Sequence, residues 1–171
     1  MERSISEAYI RRCHKRLMEL GAPLEDWFCE NVYDEEDAPF TCELCDCDKV
    51  RYVHVMRNLN YLGTISVGCI CAGVMEGDIL AAQEREREAR NRAQRRKNFV
   101  SKGWTALANG VQVRSYHGTV CKIMVSKYNK QQYGVLYQGR WCWNYHQNPI
   151  NSFAQAATAA FYAYEKEHAN A

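Results

Sequence analysis

The sequence predicts an α+β protein built from two modules. Three observations carry that expectation: helical spacing of apolar residues near both ends, short alternating runs separated by Gly and Asn turns in the last third, and five of the nine cysteines gathered between residues 40 and 73 around a hairpin pattern. At 171 residues and 47% hydrophobic, the chain has material for one ordinary core or two small ones. No apolar run approaches the roughly 18 residues that span a bilayer, and the N-terminal segment mixes charges where a signal peptide has an apolar centre. A cytoplasmic, reducing setting is therefore expected, in which clustered cysteines are metal ligands or catalytic groups more often than disulfides.

The first element, SISEAYIRRCHKRLMELGAP, reads as a helix. Ser4 and Glu7 fit a capping box, Ile5, Tyr9, Cys13, Leu17 and Leu20 recur at helical spacing, and Gly21 with Pro23 stop it. LEDWFCENVYDEEDAPF follows, with seven carboxylates from Glu25 to Asp37; it reads as a loop anchored by Trp27, Phe28, Val32 and Tyr33, with Cys29 as a small buried residue.

The cysteine segment comes next. Cys42 and Cys45 form a C-x-x-C turn, whose backbone brings two sulfurs to one point, and Asp46 after it is one of the few non-glycine residues that tolerates positive φ. KVRYVHVMR alternates, with Val50, Tyr52, His54 and Met56 on one face, and GTISVG returns as a second strand after the NLNY turn. Cys45 and Cys69 have 23 residues between them, a little beyond the roughly 15 to 20 of ribbon-type sites. Cys69 and Cys71 are a C-x-C pair, so an extended backbone must bend at Gly68 and Gly73 for both sulfurs to reach one ion. The expected ligands of a structural Zn²⁺ are Cys42, Cys45, Cys69 and Cys71, with His54 or Cys47 as the substitute if the C-x-C pair does not chelate. Zinc is preferred over an iron–sulfur cluster or a metal-free core, and redox activity is disfavoured because a strand, not a helix, follows the C-x-x-C turn.

CELC, RYVHVM and VGCICAGVMEGD, followed by a run of Arg and Glu, resemble an uncharacterised family of bacterial and mobile-element proteins carrying a treble-clef-like or ribbon-like zinc module. The resemblance covers roughly residues 20 to 98. Its wider members carry VGSxC at the second cluster, which matches Cys71 and leaves Cys69 the weaker ligand; it implies zinc and brings no assigned activity.

GDILAAQEREREARNRAQRRKNFVSKGW reads as one helix without an apolar stripe past Leu80, a charged spacer held by pairs such as Glu86 to Arg90 and Glu88 to Arg92. Its far end, Arg90, Arg92, Arg95, Arg96 and Lys97, complements the helix dipole and offers a phosphate-contacting edge. From residue 103 the period switches: an Asn109-Gly110 turn, then TVCKIMVSK, QYGVLYQ and RWCWNY, predict an antiparallel β-meander, closed by a C-terminal helix capped at Asn151 or Ser152 with Phe153, Ala157, Ala160 and Tyr164 on its stripe. The expected organisation is residues 1–80 for the N-terminal helix and zinc-stapled hairpin, 81–102 for the spacer, and 103–171 for the sheet and its helix. Trp141, Trp143 and Tyr145 share one side of their strand, and Tyr133, Val135 and Tyr137 stripe its neighbour; both stripes are expected beneath the C-terminal helix. The alternative is a stacking platform for bases beside Lys122, Lys127, Lys130 or Arg140.

Charge divides the chain: residues 1–80 hold 15 acidic and 8 basic side chains, residues 81–171 hold 5 and 14. That asymmetry points to a polyanion-binding second half. No enzyme motif is present: there is no phosphate-cradling glycine loop, H-E-x-x-H or nucleophile elbow, and His14, His54, His117, His146 and His168 are scattered. A nucleophile formed by Cys121 or Cys142 with His146 has no motif behind it. The expectation is a non-enzymatic zinc protein that contacts DNA or RNA through its basic half, without a membrane or small-molecule partner; the competing expectation is a protein-binding adaptor or mobile-element inhibitor that docks through its acidic half.

Overall fold

A computed structural model describes residues 4–169, and the α+β class is what it contains. The chain forms two compact units that divide between Ala93 and Gln94. No helix among the described residues is long and apolar enough to cross a membrane.

The N-terminal unit begins with α1 (Glu7–Glu19). Its N-cap is Ser6, not Ser4: the Ser6 hydroxyl accepts from the Tyr9 amide at 3.3 Å, while Cys13 and Leu17 are buried. The acidic segment after it is not a loop throughout, because Phe28–Asp34 forms β1, the edge strand of a sheet of order β1-β2-β3. β2 (Tyr52–Arg57) and β3 (Thr64–Val67) form the anticipated hairpin, all pairings being antiparallel. Several carboxylates of β1 and its flank are neutralised across the sheet, Asp34 by Arg51 at 2.8 Å and Glu30 by Arg57 at 2.9 Å.

The largest departure from expectation is at the second cysteine cluster. Gly68 is an extended N-cap, and Cys69–Glu76 is a helix, α2, ended by Gly77 in the left-handed region at φ 73°. Its small apolar residues suit a tight core position: Ala72 and Met75 are buried, and a Cβ on Gly73 would fall 2.7 Å from the Ile79 Cα. α3 (Ile79–Ser101) follows at once, its first turn capped by the Asp78 carboxylate, which accepts from the Ala81 amide at 2.9 Å.

α3 is not a free spacer. Ala82 and Phe99 are buried, Arg85 pairs with Glu76 of α2 at 2.5 Å, and the last turns contribute to the second unit's core. Its C-terminal carbonyls are met by Arg114, whose guanidinium donates to Phe99 at 2.5 Å, to Asn98 at 3.1 Å and to Lys102.

The C-terminal unit is the expected meander: β4 (Thr105–Ala106), β5 (Gln112–Tyr116), β6 (Thr119–Val125), β7 (Tyr133–Tyr137) and β8 (Arg140–Cys142), paired in that order. A small hairpin of β9 (Asn144–Tyr145) and β10 (Asn148–Pro149) leads into α4 (Phe153–Ala169). His117-Gly118, Gln138-Gly139 and His146-Gln147 all have positive φ, the paired left-handed geometry of two-residue hairpins. Ser152 caps α4 by accepting from the Gln155 amide at 3.1 Å. Ala157, Ala160 and Phe161 are fully buried over Cys121, Ile123 and Val135, and Tyr164 donates to the Leu136 carbonyl at 2.8 Å.

One aromatic stripe does not pack as expected. The pairing register puts Ile123, Val135 and Cys142 in one cross-strand row and Lys122, Leu136 and Trp141 in the next. Successive residues of a strand point to opposite faces, so Ile123 and Val135 meet α4 while Trp141 lies on the other face. Trp143 lies over Gly134 on that same face, its ring 2.7 Å from where a Cβ would be, and stacks with Trp141 at 6.2 Å between centroids. Tyr133, Tyr137 and Tyr145 do join the core beneath α4.

Candidate metal centre

The C-x-x-C turn is built as its spacing requires. Cys42 donates its amide to the Cys47 carbonyl at 2.8 Å, the Asp46 amide returns to the Cys42 carbonyl at 3.0 Å, and Asp46 takes φ 56°. Glu43 fastens the turn to β3, its amide donating to the Ser66 carbonyl at 3.1 Å while its carboxylate accepts from the Ser66 amide. The turn is thereby held against the end of the hairpin, next to the first turn of α2.

There the sulfurs of Cys42, Cys45 and Cys71 lie within 4.8 Å of one another, an arrangement that could hold a metal ion. Cys69 does not join them. At about 100° per helical residue, positions i and i+2 diverge by about 200°, so helix formation turns Cys69 and Cys71 to different sides of α2. Cys47 is exposed and belongs to neither of the groupings that could hold a metal among the described residues.

A fourth sulfur arrives from a distant element. Cys13 of α1 is 2% exposed, and its Sγ lies 3.8 Å from Cys71 Sγ. That separation equals the edge of about 3.8 Å in a tetrahedron of sulfurs 2.3 Å from a central ion, although Cys13 does not lie within 4.8 Å of all three other sulfurs and would have to close on them to complete the set. The Tyr9 hydroxyl, one turn earlier in α1, is 2.9 Å from Cys71 Sγ and also neighbours Cys45. The sequence had assigned Cys13 to an ordinary apolar stripe; the available signal was a cysteine on the buried face of a helix beside an odd total of thiols.

The electrostatics belong to the group as a whole. The Cys42 thiol is pushed up by its hydrogen bond with Cys71 and then by burial, and Cys71 by Cys13 and burial, whereas Cys13 is drawn down chiefly by Cys71. Adjacent buried thiolates repel, and a cation at their centre would offset all of them at once.

A second grouping joins His54, Cys69 and Glu86, with donor atoms again within 4.8 Å of one another. His54 is fully buried in β2 between Val32 and Val67, and neither ring nitrogen has a hydrogen-bond partner. An unmet buried polar group costs about 1–3 kcal/mol. Burial, then the Arg85 charge, pushes the imidazole down to about 4, so it is neutral with a lone pair to donate. Cys69 is pushed up to about 12, by burial first and then by Glu86. Glu86, read from sequence only as a partner of Arg90, does hold that arginine at 2.9 Å while facing Cys69.

Both groupings border one groove of about 530 Å³, to which Cys45 and Cys71 contribute from one and Cys69 and Glu86 from the other. Lys49, Arg51 and Arg90 line it too.

The basic residues singled out for phosphate contact are differently situated. Arg90 pairs with Glu86 and lies over the Tyr52 ring, Arg95 pairs with Glu165 at 2.7 Å, and Arg96 donates to the Tyr162 hydroxyl at 2.7 Å. Arg92 and Lys97 are exposed on α3, Lys127, Lys130 and Arg140 are exposed around the meander's turns, and Lys122 is half-buried in the Trp141 row. Cys121 is sealed in the core while His146 sits exposed in a turn, and the His168 side chain lies outside the described residues. No protein-family model, curated protein or solved structure matches the chain.

Proposed function

We propose that this chain is a zinc-stabilised binding protein in which Cys13, Cys42, Cys45 and Cys71 hold one structural ion. The observation that carries the reading is the grouping of the Cys42, Cys45 and Cys71 sulfurs, from the C-x-x-C turn and α2, within 4.8 Å of one another, with Cys13 of α1 beside Cys71 at 3.8 Å. An all-sulfur set favours zinc over oxygen-seeking cations, and four protein ligands leave no position for a reacting water. The ion then acts as a clasp for the N-terminal unit, with Tyr9 donating to a ligand sulfur as its outer support.

Ligand identity is tested by paired variants. The protein purified under reducing conditions should retain about one tightly held zinc per chain; Cys13→Ser should lose it and Cys69→Ser should keep it. The reverse pattern would return Cys69 to the site and exclude Cys13.

A nucleic-acid role for the second unit is favoured by one observation: Trp141 and Trp143 stack on the sheet face turned away from α4, with Lys122 in the same cross-strand row. Stacked rings beside a cation suit single-stranded bases, at about 1–3 kcal/mol per stacked base. The internal pairs of Arg95 and Arg96 move the expected contact surface from α3 to this sheet. Replacing both tryptophans by Ala should abolish retention on single-stranded DNA or RNA at about 50 mM salt and leave the zinc content unchanged. Wild-type protein that is not retained under those conditions would direct attention to the adaptor alternative and the acidic surface near Glu35 and Asp37.

A further inference from the structure

The thiolate cluster does not use His54, Cys69 or Glu86, although Glu86 also holds Arg90. They come from three elements, the central strand β2, the first residue of α2 and the second turn of α3, and their donor atoms meet within 4.8 Å. His54 is the decisive member, because it is fully buried and both its nitrogens lack a hydrogen-bond partner. Two of the groups facing it supply electron pairs, a sulfur and a carboxylate; the third, the Arg85 guanidinium, is held by Glu76. An imidazole nitrogen, a thiolate and a carboxylate can all be satisfied together by a divalent cation.

We propose that His54, Cys69 and Glu86 form a second metal site, for a d-block cation of the Zn²⁺ class, distinct from the Cys13–Cys42–Cys45–Cys71 cluster. The mixed N, S and O donor set selects this class: Ca²⁺ and Mg²⁺ take oxygen ligands almost alone, and soft Cu⁺ prefers sulfur. The C-x-C motif thereby serves both sites, since helix geometry directs Cys69 to one and Cys71 to the other.

The two sites differ in accessibility. Three protein ligands leave a coordination position that four would close. His54 is sealed in the sheet, whereas Cys69 and Glu86 border the groove, so the remaining position faces the groove and its cations Lys49, Arg51 and Arg90. A water or a small anionic donor can reach it from there. With a single thiolate, this ion is held less tightly than the first and exchanges more readily.

The inference does not depend on the thiolate cluster, and metal titration separates the two. Metal-stripped, reduced full-length protein titrated with Co²⁺ should bind about two ions per chain. The thiolate-to-cobalt absorption should rise in two steps, the second smaller because it reports one sulfur. Glu86→Gln, a conservative change at a partly exposed helix position, should remove the second step and leave the first, with unchanged circular dichroism; Cys69→Ser and His54→Ala should do the same. Cys45→Ser should disturb the first step and keep the second. A chain that binds a single ion, unaffected by Glu86→Gln, overturns the proposal. The proposal is also overturned if Cys69→Ser abolishes the tight step while Glu86→Gln changes nothing. A single ion lost in Glu86→Gln and retained in Cys45→Ser would sustain this site and defeat the thiolate cluster.

Discussion

Stripping the proposed structural ion is expected to unfold the N-terminal unit. Cys13, Cys42 and Cys71 are among its most buried residues, at 2%, 0% and 1% exposure, and they occupy the same core as Leu17, Met56, Ile65 and Val67. An occupied structural zinc site contributes about 10–16 kcal/mol of apparent binding free energy, as much as the whole stability of a typical domain, about 5–15 kcal/mol. Cys42→Ser, or a strong chelator on the wild type, should therefore remove the cooperative unfolding transition of residues up to Ala93. The C-terminal unit has its own core and should keep its near-ultraviolet aromatic signal. A Cys42→Ser protein whose thermal transition is unchanged, with or without chelator, would show that the cluster is an ordinary buried thiol core.

In the C-terminal unit, Phe161→Ala should have the largest effect of any single core truncation. The ring is fully buried and lies 5.7 Å from Phe99, 6.0 Å from Tyr116 and 5.5 Å from Tyr162, between α3, β5 and its own helix. Truncating a buried Phe to Ala costs about 3–5 kcal/mol, because the lost transfer free energy is joined by the cavity left behind. Urea unfolding should place most of that loss in the unit's own transition and leave the tight zinc content unchanged. Phe28→Ala is the control: that ring is 43% exposed on the edge strand and should change stability far less. A loss below about 1 kcal/mol for Phe161→Ala would mean that α4 does not close the core as described.

Local chemistry was legible at most places where the interacting residues are neighbours in sequence, the cap of α1 at Ser6 and not Ser4 being an exception. The C-x-x-C turn with Asp46 at positive φ, the β2–β3 hairpin, the Glu86–Arg90 pair, the turn at Asn109-Gly110, and the Ser152 cap all follow from contacts within a few residues. Periodicity likewise identified the face of α4 that meets the sheet. What misled was a motif with two local readings. Cys69-Ile70-Cys71 suits a bent strand as well as a helix start, because Gly68 and Gly73 permit either and neither Cys nor Ile has a strong helical preference.

The sequence by itself determined the class, the first and last helices, the hairpin between two cysteine clusters and the meander closed by a helix, since each is set by local propensity and by the period of apolar residues; it missed β1 and α2. Only the tertiary structure decided which sulfurs meet. α1 must pack on α2 before Cys13 can approach Cys71, and α3 must follow closely on Gly73 before Glu86 can face Cys69 and His54. The same packing chose which tryptophans turn away from α4, because strand register, not composition, assigns a side chain to one face or the other. Coordination depends on distances through space, and between elements far apart in the chain those distances are fixed only when the core packs.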